Sequence, residues 1–218
     1  MANAANLIQD HQSRLPIREQ VETNGLLAAA RAGRVGAEQL QRFVAAEFLS
    51  QNAEIVKYGN LLVRHSHEVP GVVFAHLAAL YLSQRRLLTD VAAADVGLDV
   101  DELRSADLPQ EVHDFSLAET WVGVHAGPGE AALAVHTDFQ LFAPVATELV
   151  DALGRLDDVP RSVVSYLENY SQEPAVLREG LVEVVEHGLA EGEPEKWLFR
   201  SAGDIPDLLT AYWGYVSG

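Results

Sequence analysis

Four polar side chains, Glu47, Gln51, Glu54 and Tyr58, interrupt an otherwise apolar stretch, FVAAEFLSQNAEIVKYGNLL (residues 43–62), at intervals of four, three and four. At about 100° per residue along a helix they fall within roughly 60° of one another. Two carboxylates, an amide and a phenol on one stripe can hold an ammonium group, pass a proton or ligate a metal. A buried ionised carboxylate without partners costs several kcal/mol, so such a stripe either meets water or lines a cavity. Both readings stand on the residues alone. Leu40, Phe43 and Leu61 share the sector, and the cavity is the expectation carried forward. Val44, Phe48, Leu49, Ile55, Val56, Leu62 and Val63 form a bordering apolar face, while Ser50, Ala53, Lys57, Asn60 and Arg64 gather on a side expected to face solvent.

Other residues with chemical potential are scattered. His136 with Gln140 one turn later makes a polar pair that faces either the cavity or the surface. His65 to His67 read as a solvated helix end, His76 as a hydrogen-bonded core histidine, and HGLAEGEPE from His187 as an acidic helix end. A lone His11 near the start suggests no haem site by itself. Phe48, Tyr58, Tyr81, Trp121, Phe139, Tyr170, Tyr212 and Trp213 either stack a flat ligand or pack the core. The expected site therefore has Glu47, Glu54 and His136 as catalytic groups, with Gln51, Tyr58, Tyr81, Gln140, Tyr170 and Trp213 contacting a small-molecule ligand.

The elements that must position these groups are helical. Period-two alternation is missing, and breaks at Gly36, Pro70-Gly71, Gly97, Pro109, Gly127-Pro128-Gly129, Pro160 and Gly192-Glu193-Pro194 leave about seven segments: 5–33, 37–66, 71–95, 109–126, 129–155, 160–191 and 194–216. Pro174 and Pro206 should kink or split the last two. The 218 residues suit one all-α domain with 37–66 central. A formal net charge of −17 disfavours nucleic acid and anionic lipid, and 48% hydrophobic content with 22% charge is a globular signature. No stretch approaches the roughly 18 apolar residues of a membrane span. MANAANLIQDHQSR lacks a signal core, so a cytoplasmic location is expected. The absence of cysteine removes thiolate nucleophiles, thiolate metal sites and disulfides together.

NGLLAAARAGRVGAEQLQRFVAAEFLSQNAEIVKYGNLLVRHS, a following helix ending in LLTDVAAADVGLDVDEL, and VVSYLENYSQEPAVLREGLVEVV together resemble the TenA (thiaminase II-like) family of the heme-oxygenase-like helical superfamily. The resemblance covers most of the chain and implies a heme-oxygenase-like bundle. It also implies that Glu47 stands where the family places an aspartate that binds a pyrimidine amine, and Tyr170 where it places a substrate-contacting tyrosine. The family's nucleophilic cysteine belongs on AALAVHTDFQLFAPVATEL, where His136 or Gln140 lies nearest. Its late glutamate belongs in FRSAGDIPDLLTAYW, which holds Asp204, Pro206 and Asp207 instead. Covalent C–N hydrolysis through a thiolate is therefore not expected.

The superfamily's other branch, the non-haem diiron oxidases, carries a late His-x3-Asp-x2-His. Laid on this chain those positions become Tyr170, Pro174 and Leu177, so no metal and no cofactor are expected, although Glu47 and Glu54 copy the early ligand pair. The resulting expectation is a small-molecule enzyme that acts on a nitrogen-containing or aromatic metabolite without a cysteine nucleophile. A diiron oxidase and a non-catalytic binding protein are the alternatives. A homodimer or higher homo-oligomer is the expected assembly.

Overall fold

The computed structural model describes residues 3–218, and its described residues are helical with no strand. Prolines and side-chain caps cut the expected seven segments into shorter pieces. The first becomes α1 (Ala4–Gln12), α2 (Ile17–Thr23) and α3 (Gly25–Arg31). Pro16 precedes α2, and the Asn24 side chain accepts from Leu27 N to start α3. The long helix α4 (Ala37–Arg64) follows, with Gln39 reaching back to the Gly36 amide. α5 (Glu68–Leu87) continues through a π-turn at Leu88–Ala92 into α6 (Ala93–Asp95). α7 (Val100–Ser105), which the sequence reading missed, is started by Asp99 and Glu102 in a capping box.

Next come α8 (Gln110–His125) and α9 (Pro128–Leu153). Pro174 splits the sixth segment into α10 (Arg161–Glu168) and α11 (Ala175–Ala190). The seventh breaks at Phe199 into α12 (Glu195–Leu198) and α13 (Arg200–Ser217), and α13 runs through Pro206. The Pro206 carbonyl accepts from Gln20 Nε2 at 3.0 Å, which ties that turn to α2.

Six helices close a ring, in the order α4, α8, α13, α9, α11, α5 and back to α4. α4 and α9 lie on opposite sides of its interior, which is why a polar stripe on α4 can face inward without meeting solvent. Two carboxylates, one half-buried and one fully buried, fasten the ring away from that interior. Glu193 accepts from the amides of Gly129 and Glu130 at the start of α9, at 2.9 and 2.8 Å. Fully buried Glu130 is gripped by Arg200 Nε and Nη2, at 3.0 and 2.7 Å, and by Ser201 Oγ at 2.6 Å. Among the described residues no helix is long and apolar enough to cross a membrane.

The side of α4 expected to face solvent is buried, and part of its expected apolar face is exposed. Ser50, Ala53 and Lys57 are covered, whereas Val56 is 50% and Val63 82% exposed. The cause is Gly123. A Cβ there would sit 2.6 Å from Lys57 Cα, so only a hydrogen at this position lets α8 pack onto that side of α4. His76, expected in the core, is exposed, with Nδ1 hydrogen-bonded to the Val72 carbonyl at 2.8 Å. Gly123→Ala is expected to push α8 off α4 and destabilise the chain by about 1–3 kcal/mol. Thermal unfolding checks it: the loss should appear as a fall in Tm of several degrees.

Candidate functional site

Inside the ring lies a small cavity of about 30 Å³. α4 contributes Glu47, Ser50, Gln51 and Glu54; α9 contributes Asp138, Phe139 and Phe142; α13 contributes Leu209 and Tyr212. Tyr81 from α5, Phe115 from α8 and Tyr170 from the turn after α10 complete the wall. Two of the stripe's spacings thus place Glu47, Gln51 and Glu54 together as a helical face requires.

Glu47 is 6% exposed and accepts two phenol hydrogen bonds, from Tyr166 at 2.5 Å and from Tyr212. Gln51 Nε2 donates to the Tyr166 and Tyr170 hydroxyls at 2.9 and 2.7 Å, so the amide and three phenols orient one carboxylate. Burial raises the Glu47 pKa, and the two phenols hold that rise back. Lys57, also buried, donates to Glu119 across the α4–α8 contact and lies 4.0 Å from Glu54. Burial alone would lower the Lys57 pKa, but the Glu119 charge reverses this and keeps the ammonium protonated.

Charge in the interior is unbalanced: Glu47, Glu54, Glu119 and Asp138 share Lys57. At 4.0 Å, the Lys57–Glu54 distance, an ion pair at an effective dielectric constant of about 20 gains about 4 kcal/mol. Burying each ion costs several kcal/mol, and Lys57 is already committed to Glu119. Burial therefore drives Glu54 well above the ordinary carboxylate range despite the lysine. Asp138 is pushed up to about 8 by burial first and by the Glu119 charge second. At neutral pH both shifts favour the protonated acid. Ser50 Oγ, Gln51 Oε1 and Asp138 Oδ1 are buried there without a hydrogen-bond partner, which leaves polar capacity for something bound.

Of the residues expected at the site, Glu47, Glu54, Gln51, Tyr81 and Tyr170 line the cavity, and four others do not. Tyr58 lies behind Tyr81, ring centroids 5.1 Å apart, because it falls on the α5 side of the stripe. Trp213 stands behind Phe142, at 5.3 Å, and its neighbour Tyr212 takes the inward position. His136 and Gln140 project from another side of α9. His136 Nδ1 bonds Glu173 at 2.5 Å, and Gln140 lines an outer groove. The sequence reading missed Asp138, Glu119, Lys57, Tyr166 and Phe142 as parts of the interior. At the late diiron positions, Pro174 caps α11 and Leu177 is core, and among the described residues no three His, Asp or Glu side chains converge as a ligand group. The donors present do not fit a diiron centre.

The raised Asp138 pKa fixes the sign of a pH effect. An acid stronger when unfolded than when folded contributes stability fully below its unfolded pKa, near 4, and loses it as pH rises through its folded value of about 8. Asp138→Asn has no such loss. The difference in Tm between the variant and the parent chain should therefore move in the variant's favour between pH 4 and pH 8, as followed by calorimetry across that range.

No protein-family model and no curated protein matches the sequence. Solved structures do match. A TenA homologue from Pseudomonas syringae pv. tomato superposes with a TM-score of 0.76, at 10% identity over 98% of this chain and 92% of that one. A TenA homologue from P. horikoshii gives a TM-score of 0.72 at 11% identity, with both chains covered completely. The chain has the TenA-like all-α fold.

Proposed function

We propose that the protein is a small-molecule enzyme whose cavity binds a nitrogen-containing aromatic metabolite, with the ring against Phe139, Phe142 and Tyr170 and a cationic nitrogen against the carboxylates. The observation that carries this reading is the excess of buried carboxylates over ammonium groups around a cavity with unpaired polar atoms. Tyr166, Tyr212 and Gln51 hold Glu47 in one orientation, as a residue that pairs with an amine or takes a proton from it must be held. Asp138, protonated near neutrality, is the complementary proton donor. On the helix where the resemblance calls for a cysteine, the inward positions are Asp138, Phe139 and Phe142. The chemistry is accordingly proton transfer at a bound nitrogen or a neighbouring carbon, without a thiolate intermediate.

We also assign the protein to the cytoplasm and to a homo-oligomer. Support for the latter comes from the outer faces of α4 and α5. Between Asn52 and Val63 the charged residues are buried Glu54 and Lys57, and between Val72 and Ser83 there is none. Exposed Val56, Val63, Val72 and Leu82 lie on these faces. In a chain of net charge −17, an uncharged face is where two copies meet with the least repulsion.

Two experiments check these assignments. In a thermal-shift panel with products followed, protonated aminopyrimidines and benzamidine should raise Tm saturably, by the equivalent of about 2.7 kcal/mol at a hundredfold excess over Kd. Neutral benzamide should not, Glu47→Gln should remove the effect, and turnover of a stabilising compound is expected. Saturable stabilisation with no product from any of them would favour a binding protein over an enzyme. For the assembly, light scattering should find an oligomer that Val63→Glu reduces to a smaller species, while a monomeric parent chain would refute it.

A further inference from the structure

The cavity is separated from the outside, at one place, by a single ring. Phe139 lines the cavity and also an outer groove of about 390 Å³ formed by Gln140, Ala143, Ser171, Gln172, Glu173 and Arg178. Tyr170, on the cavity wall, begins the turn whose next three residues form the groove's rim. Both parts of this wall are built to move. Pro144 within α9 has no amide to bond the Gln140 carbonyl, which weakens the helix just beyond Phe139. Residues 169–174 belong to no helix; Tyr170 packs on Phe139 and Phe142 of α9, and beyond it the turn is held to α9 by three side-chain hydrogen bonds. Thr147 Oγ donates to the Ser171 carbonyl at 3.1 Å, Gln140 Nε2 reaches Glu173 at 3.4 Å, and His136 Nδ1 bonds Glu173 at 2.5 Å.

We propose that His136 and Glu173 are positioning residues that latch this wall shut, and that small molecules reach the cavity past Phe139 and the Tyr170 turn when the latch opens. The pair is the short, buried member of the set, with side chains 6% and 7% exposed. It joins the α9 helix that carries Phe139 to the turn that carries Tyr170, three residues before Glu173. Neither residue lines the cavity, so the pair acts on access and leaves the bound ligand untouched. Gln12 Nε2 donates to Gln140 Oε1 at 2.8 Å and braces the same side from α1.

This inference rests on the cavity being the ligand site, and its test reads access alone, so failure of the latch and failure of the ligand assignment are told apart. The chain contains no cysteine, and Ser50→Cys therefore places a single thiol on the cavity wall; Leu209→Cys replaces it if that variant does not fold. The rate of modification by methyl methanethiosulfonate is measured in the full chain, with circular dichroism and Tm confirming the fold. His136→Ala and Glu173→Ala are each expected to raise the rate about tenfold, the loss of a hydrogen bond to a charged group. His136→Asn, which keeps a donor near Nδ1, should restore slow labelling. His67→Ala, at the start of α5 where it stacks on His187 at the far end of α11, should leave the rate alone. Rates unchanged by both alanine variants, or raised instead by Phe115→Ala on the opposite wall, would overturn the proposal.

Discussion

The Lys57–Glu119 ion pair is the interaction on which the rest of the interior depends. It stands where α4 and α8 come closest, and the bare Gly123 backbone makes the approach possible. With Lys57 engaged by Glu119, its charge is only partly available to Glu54 at 4.0 Å. The remaining carboxylates must be neutralised by protons or by phenol and amide donors, and the structure uses both. Glu47 takes Tyr166 and Tyr212, while burial shifts Glu54 and Asp138 toward the acid form. A pure hydrocarbon core would cost less to bury. The polar interior is therefore hard to explain by stability and fits the proposed ligand site.

The ring of six helices supplies what this arrangement requires. Opposing α4 and α9 leaves a space between their inward faces, and α5, α8, α11 and α13 seal it from water. Sealing raises the carboxylate pKa values, and it also makes a route inward necessary. The polar cluster around Glu173 lies on the outer side of the same wall, so the cavity-lining groups and the proposed latch occupy different faces of one helix, α9.

Much of the fold was legible because helix boundaries are local. Gly36, Pro109, Gly127 and Pro160 each act within a turn of their own position and were read, whereas Pro16, Asn24 and Asp99, which start α2, α3 and α7 just as locally, were not. α13 is not split at Pro206, whose missing amide leaves the Ala202 carbonyl without its helical donor while its own carbonyl is used by Gln20. The Glu47–Gln51–Glu54 stripe was legible because α4 has one side exposed, and contrast between faces carries the signal. On α9 nearly every residue from Pro128 to Phe139 is buried, so periodicity gives no direction. That is why His136 and Gln140 were expected inside and Asp138 was overlooked. Lys57 looked solvent-facing because its burial depends on Gly123 and Glu119, more than sixty residues away in sequence. The choice between Trp213 and Tyr212 turned on a register of one residue, which helical spacing does not resolve.

If buried Glu54 and Asp138 hold protons at neutral pH, a cation bound in the cavity displaces them. Calorimetry of benzamidine binding at pH 7, repeated in buffers of different ionisation enthalpy, measures that exchange directly. A net release of protons on binding, diminished in Asp138→Asn, is the predicted result. Binding with no proton release, or with proton uptake, would contradict the account.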